Sequence, residues 1–217
     1  PPLAVKVSLR MAPDFVFLDL GQVIVSFDRD RAIAQAAAVS GCDQEAAAAV
    51  LLDPELHDAI ERGRIDWRGF HGAFCSRTGT DPDPQRLAHA VSDMFSLCND
   101  MLPVISRLSR SGCGLGILSN TCGPHWDHLT RTAGYGVLTT GIDTIVLSHE
   151  VGCRKPEREI FDIAARMAGV APERIFFTDD IPEHVHAARA AGWDAEVFTG
   201  ATALADALTV RGLRCGL

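Results

Sequence analysis

Hydrophobic positions along the chain fall into two patterns. The first is a series of short apolar runs, each closed by a polar residue. Asp14-Phe15-Val16-Phe17-Leu18-Asp19-Leu20-Gly21 opens the series. Residues 114–118 end in Ser119-Asn120, residues 144–147 lie a short way before Lys155, residues 174–178 end in Asp179-Asp180, and residues 195–198 close it. Near-continuous apolar runs of this length read as strands buried on both faces of a parallel sheet. Between them the spacing predicts helices over 102–110, 124–133, 157–168, 183–191 and 201–208. Pro156 stands at a favoured first helical position, and Gly192 is a helix stop. Such alternation predicts an α/β fold, a Rossmann-like doubly wound parallel sheet with right-handed crossovers and helices on both faces.

The second pattern covers residues 29–96. It is alanine-rich and amphipathic, with no strand-like run, and predicts helices over 31–39, 43–52, 54–61, 67–77 and 84–97. Ser40-Gly41, Arg62-Gly63 and the turn-rich stretch 78–84 separate them. The block is too long for a simple crossover, so it reads as an inserted helical cap over 28–98, placed between core segments 11–27 and 99–217, with a tail over 1–10. Its two connections emerge beside Asp19, where it can act as a lid. The first 13 residues lack the long apolar run of a signal peptide, and Met11 is a candidate internal start.

Composition narrows the partners. The 217 residues carry a net charge of −8 without a basic cluster, which argues against nucleic acid. No apolar run approaches membrane length. The seven cysteines are odd in number and form no Cys-x-x-Cys pair, so a zinc site or disulfide framework has poor support; thiols in a reducing cytoplasm are the expectation. Oligomeric state stays open between monomer and homodimer.

The polar strand ends are the candidate chemistry. A lone Asp after a buried strand is costly to desolvate without a cation or several donors. Asp19 is either a nucleophile or metal ligand, or the cap of the next turn. In a parallel sheet these strand ends share one edge and converge on one pocket. Two or three carboxylates beside a phosphate-sized anion require a cation, and oxygen ligation suits Mg2+. Ser119, Lys155 and backbone N–H groups suit phosphate oxygens.

In this order the residues resemble the motifs of the haloacid dehalogenase superfamily. Phe17-Leu18-Asp19-Leu20-Gly21-Gln22-Val23 resembles the first motif and Leu118-Ser119-Asn120 the second. Arg154-Lys155-Pro156, with Phe161, resembles the third, and Phe176-Phe177-Thr178-Asp179-Asp180 the fourth. The helical insert is similar to the family's C1 cap, and Glu61-Arg62-Gly63-Arg64-Ile65 resembles a Glu-x-Gly-x-Ile stretch of such caps. Within the superfamily the chain is most similar to bacterial sugar-phosphate phosphatases of the glucose 1-phosphate phosphatase kind. The resemblance implies a small phosphorylated substrate, Asp19 as nucleophile, and Mg2+ on Asp19, Asp180 and the Gly21 carbonyl with Asp179 nearby. It implies Ser119 and Lys155 on the phosphoryl group, and substrate or phosphate contacts from Gly21, Gln22, Asn120, Glu61 and Arg64.

Two positions depart from the pattern. Gly21 stands where most phosphatases of the superfamily carry a second Asp, the general acid–base. His57 and Glu61 are candidates to replace it. A metal-independent 2-haloacid dehalogenase, whose halide leaves without a proton, is the competing class, and a weakly active or non-catalytic binding protein a further one. His184 stands where Asp or Asn is usual, and reads as a solvent-facing helix residue or as a tuner of Lys155 or Asp180.

Overall fold

A computed structural model describes residues 12–132 and 134–213. The tail over 1–10, Met11, Ala133 and Cys215 lie outside the described residues. The chain forms β1 (Phe15–Leu18) and β2 (Val25–Phe27), then α1 (Arg29–Ser40), α2 (Gln44–Leu51), α3 (Pro54–Glu61), α4 (Trp67–Thr78) and α5 (Pro84–Ser92). It continues with β3 (Phe95–Leu97), α6 (Leu102–Leu108), β4 (Gly114–Ser119), α7 (Gly123–Arg131), β5 (Thr144–Leu147) and α8 (Ser148–Val151). Last come α9 (Arg158–Ala168), β6 (Ile175–Asp179), α10 (Pro182–Ala190), β7 (Asp194–Val197) and α11 (Ala201–Val210).

Five strands make one parallel sheet in the order β5-β4-β1-β6-β7. Successive side chains of a strand point to opposite faces. Accordingly Val16 and Leu18 join one core with Ile105, Leu108, Leu204 and Leu208. Phe15 and Phe17 join the other, with Phe161, Phe177 and Trp193. Truncating a fully buried ring such as Phe17 costs about 3–5 kcal/mol. The order places β1 centrally, with β4 and β6 on either side. Asp19, Ser119 and Asp179 therefore emerge from three neighbouring strands at one edge.

The insert has its own core of Ile33, Val50, Phe70, Phe74 and Leu87, to which Cys122 also contributes. Each of its helices is started by an aspartate whose carboxylate accepts from the first turn: Asp28, Asp43, Asp53, Asp66 and Asp83. Such caps contribute roughly 1 kcal/mol each.

Two sequence expectations are corrected. The helix expected over 84–97 ends at Ser92, and Phe95–Leu97 becomes a strand antiparallel to β2. Pairing with β2 overrides the continuing apolar period, so the insert is joined to the core by a two-stranded ribbon. Pro156 does not open α9; Glu157 is the residue before its first turn and the Lys155–Pro156 bond is cis. The short helix α8 was not anticipated.

Candidate active site

Lys155 organises the strand ends. Its ammonium donates to Asp19 Oδ1 at 2.7 Å, Asp179 Oδ2 at 2.6 Å and the Leu118 carbonyl at 2.9 Å. Three acceptors match the three protons of an ammonium, and the side chain is 1% exposed. Burial works against its charge, but Asp19 and Asp179 outweigh this and hold its pKa above the ordinary lysine value. The Lys155 backbone is gripped by Asn120, whose Oδ1 accepts from the Lys155 N–H at 2.8 Å while Nδ2 donates to its carbonyl at 2.9 Å.

The two buried carboxylates differ. Asp179 Oδ1 accepts from the Ile181 N–H at 2.8 Å, and His184 Nδ1 donates to the same carboxylate at 3.0 Å. Burial opposes ionisation of Asp179, but Lys155 and His184 prevail and bring it down to about 2. Asp19 lacks that second partner. Burial pushes it up to about 6, against the pull of Lys155 and with the charge of Asp179 adding to the push. Asp180 is raised as well, first by burial and then by Asp179. His184 is therefore not solvent-facing: it is buried and turned onto Asp179.

The remaining motif residues take the following places. Ser119 is buried, and its hydroxyl makes a long 3.4 Å contact to the Asn120 carbonyl. Gln22 is exposed with φ 54°, in the turn before β2. Gly21 has no left-handed φ; what limits this position is Phe27, whose ring would stand 3.1 Å from an added Cβ. Asn120, expected to touch phosphate, holds the Lys155 backbone with both ends of its amide, which leaves one Nδ2 proton for another acceptor. Arg64 is expected at the substrate, but it is largely exposed and pairs with Asp58 at 3.2 Å.

Glu61 does face a cavity of about 360 Å3 between insert and core, lined among others by His57, Trp67, Phe70, Cys122, His125 and Arg154. His57 Nε2 lies 3.1 Å from Glu61 Oε1. Arg154 Nη2 stands 3.2 Å from Glu61 Oε2, yet its orientation leaves that buried oxygen without a hydrogen bond. Burial drives His125 down to about 4, with the neighbouring histidines adding to the effect, so it is neutral at pH 7. Burial pushes the Cys122 thiol up to about 12, so it packs rather than reacts.

Sequence reasoning missed the contacts that fix the insert and the second-motif loop. Asp58 on α3 accepts from Arg62 at 2.8 Å and Arg154 at 3.1 Å, and Arg62 also holds Glu157 through both of its terminal nitrogens. These pairs join α3 to the segment carrying Lys155. Gly63, at φ 64°, allows the close approach: a Cβ there would meet the His149 carbonyl at 2.2 Å. Ser148 Oγ accepts from the Thr121 N–H at 3.0 Å and donates to its carbonyl at 3.1 Å. The only signal for this was a serine at the end of an apolar run, as at Ser119.

Residues 14–192 match the haloacid dehalogenase-like hydrolase family, and the chain belongs to it. It is 30% identical over 147 residues to the glyceraldehyde 3-phosphate phosphatase of Methanopyrus kandleri, covering 64% of this chain and 61% of that protein's length. It is 25% identical over 195 residues to the D-ribitol-5-phosphate phosphatase of Bacteroides thetaiotaomicron, covering 85% of this chain and 90% of the relative. Among solved structures, a HAD family enzyme of Bacteroides thetaiotaomicron in complex with magnesium and inorganic phosphate superposes with TM-score 0.75 at 24% identity, over 85% of this chain and 93% of that one.

Proposed function

We propose that this chain is a Mg2+-dependent phosphatase acting on a small phosphorylated metabolite of the sugar-phosphate class. The observation that carries the reading is the charge balance around Asp19. Carboxylate oxygens of Asp19, Asp179 and Asp180 lie within 4.8 Å of one another, against the single ammonium of Lys155. Asp19 and Asp180 with the Gly21 carbonyl would hold Mg2+, a hard-oxygen set that suits it. Asp179 is committed to Lys155, Ile181 and His184, and serves to position the lysine. Bound there, Mg2+ supplies positive charge that lets an anionic nucleophile approach an anionic phosphate.

The protein's own groups supply the rest. Asp19 attacks phosphorus with the oxygen not held by Lys155, and the alkoxide leaves. Water then attacks the phosphorus of the aspartyl phosphate, releasing inorganic phosphate and restoring Asp19. Lys155 offsets charge on both partners, and the Ser119 hydroxyl exchanges its long contact to the Asn120 carbonyl for a phosphoryl oxygen. The helical insert acts as a lid, and the cavity of about 360 Å3 beneath it is of small-metabolite size. Within it, Glu61 Oε2, ion-paired with Arg154 but without a hydrogen bond, is an acceptor for a sugar hydroxyl. The His57–Glu61 pair is the candidate to protonate the leaving oxygen, since Gly21 carries no acid. Curated relatives named for triose and pentitol phosphates support this substrate class.

Gly21 favours one second reading, a 2-haloacid dehalogenase, in which no leaving-group proton is needed. A panel of triose, pentose and polyol phosphates, assayed with Mg2+ and with chelator beside chloroacetate and 2-chloropropionate, separates the two. Phosphate release that chelator abolishes and Mg2+ restores is expected. Halide release at full rate in chelator would replace this reading.

A further inference from the structure

A second constellation of metal-ligating groups lies in the helical insert, away from the Lys155 site. His71 and Cys75 are four residues apart on α4, a spacing that puts them on one helix face. Asp81 comes from the loop joining α4 to α5. One ligand atom from each, an imidazole nitrogen, a thiol sulfur and a carboxylate oxygen, lie within 4.8 Å of one another. We propose that His71, Cys75 and Asp81 form a zinc-class metal site that clips the α4–α5 loop to α4.

Two geometric observations carry this. The thiol sits over the imidazole ring, with Sγ 3.7 Å from His71 Nδ1 and 3.6 Å from Nε2, and stands 3.7 Å from Asp81 Oδ1. Zn2+ binds sulfur at about 2.3 Å and nitrogen or oxygen at about 2.0–2.2 Å. Tetrahedral angles then put ligand atoms about 3.5 Å apart, close to the spacings here, and a turn of the Cys75 side chain toward the Nδ1 side of the ring brings the sulfur to the ion.

The second observation is the partner of the other ring nitrogen. His71 Nε2 lies 2.8 Å from the Pro82 carbonyl. A carbonyl only accepts, so Nε2 carries the proton and Nδ1 keeps its lone pair. An imidazole fixed by a backbone carbonyl in this way is the usual support of a metal-binding histidine.

The nitrogen, sulfur and oxygen set selects the ion. A thiol and an imidazole suit Zn2+ and disfavour Mg2+ or Ca2+, which take oxygen. On binding, the sulfur–metal bond replaces the S–H bond and the proton goes to solvent; no oxidation is involved. Three protein ligands leave a fourth position for water. Asp81 is exposed and the other two are half-buried, which gives the ion a path from solvent. The absence of paired cysteines counted against zinc in the sequence, but a histidine and a cysteine one turn apart provide the same ligand types.

Co2+ titration of the reduced, chelator-treated full chain tests the site. The wild type is expected to develop a thiolate-to-cobalt charge-transfer band and tetrahedral d–d bands that saturate at one equivalent for this site, both erased by Zn2+. Cys75→Ser should lose the charge-transfer band, and His71→Asn should weaken Co2+ binding at least tenfold. Asp19→Asn should leave the spectrum unchanged, which separates this site from the one around Lys155. In the Asp19→Asn background Zn2+ should raise the Tm, and it should cease to do so when His71→Asn, a change that retains the thiol, is added. A wild type without the band, or a band at full strength in Cys75→Ser, would overturn the proposal. If Cys75→Ser fails to fold, the His71→Asn titration decides: unchanged affinity there overturns it equally.

Discussion

Asn120 and Lys155 are joined through a two-way clasp, in which the side-chain amide accepts from the lysine N–H at 2.8 Å and donates to its carbonyl at 2.9 Å. Asn120 thus holds the backbone of the lysine in place. Asn120→Ala leaves a partly buried N–H and carbonyl without partners, at a cost of about 1–3 kcal/mol. It should lower Tm and kcat together, while the inhibition constant of inorganic phosphate changes little. A variant of unaltered Tm with weakened phosphate inhibition would instead assign Asn120 to the anion.

Removing the lysine charge is a harsher change. Lys155→Met leaves Asp19 and Asp179 facing each other without their cation, and breaking a buried pair costs roughly 3–5 kcal/mol. The variant can relieve this by taking up a proton. Its stability deficit against the wild type should therefore shrink as pH falls from 8 to 5 in urea unfolding. A deficit independent of pH would show that packing, rather than charge, is what Lys155 supplies.

Asp19 and Asp179 should leave opposite marks on the pH dependence of stability. Asp19 is raised to about 6, so its charged form is disfavoured by folding. Its contribution is present below about pH 4 and is lost as pH rises through about 6. Asp179 is lowered to about 2, so its contribution is present above about pH 4 and is lost as pH falls toward 2. In chelator, the stability of Asp19→Asn relative to the wild type should rise between pH 4 and pH 8. Equal stability at both values would mean that Lys155 fully offsets the burial of Asp19.

Gly21→Asp places a carboxylate where the family resemblance leads one to expect the general acid–base. The backbone there does not demand glycine, but Phe27 must give by a few tenths of an ångström to admit the Cβ. The variant should speed hydrolysis of poor leaving groups such as sugar phosphates and add little for p-nitrophenyl phosphate, because only an alkoxide needs the proton. Pairing it with Phe27→Leu should enlarge the gain. No gain in either folded, Mg2+-binding background would show that the proton is already supplied elsewhere, with His57 and Glu61 the next residues to substitute.

The strand ends were legible because burial on both faces forces near-continuous apolar runs, against which Asp19, Ser119 and Asp179 stand out. The insert was legible as helix because its caps and alanine content act locally. Phe95–Leu97 was not, since a three-residue strand is decided by its partner β2 and not by its own sequence. Nor was His184, whose helix position fixed its face only once α10 was packed against Asp179. The assignment of Arg64 to substrate rested on a short motif, whereas the neighbouring Arg62 and Asp58 link α3 to Glu157 and Arg154 through contacts far apart in sequence.

The most direct test of the account is to trap the covalent intermediate on Asp19. Rapid acid quench of the Mg2+-loaded enzyme turning over a sugar phosphate, followed by borohydride reduction and peptide mass spectrometry, reads its position. The account predicts a reduced, homoserine-type residue at Asp19, seen only when substrate and Mg2+ are both present and absent from Asp19→Asn. Phosphate release at the wild-type rate with no modification at Asp19, or with modification at another residue, would contradict it.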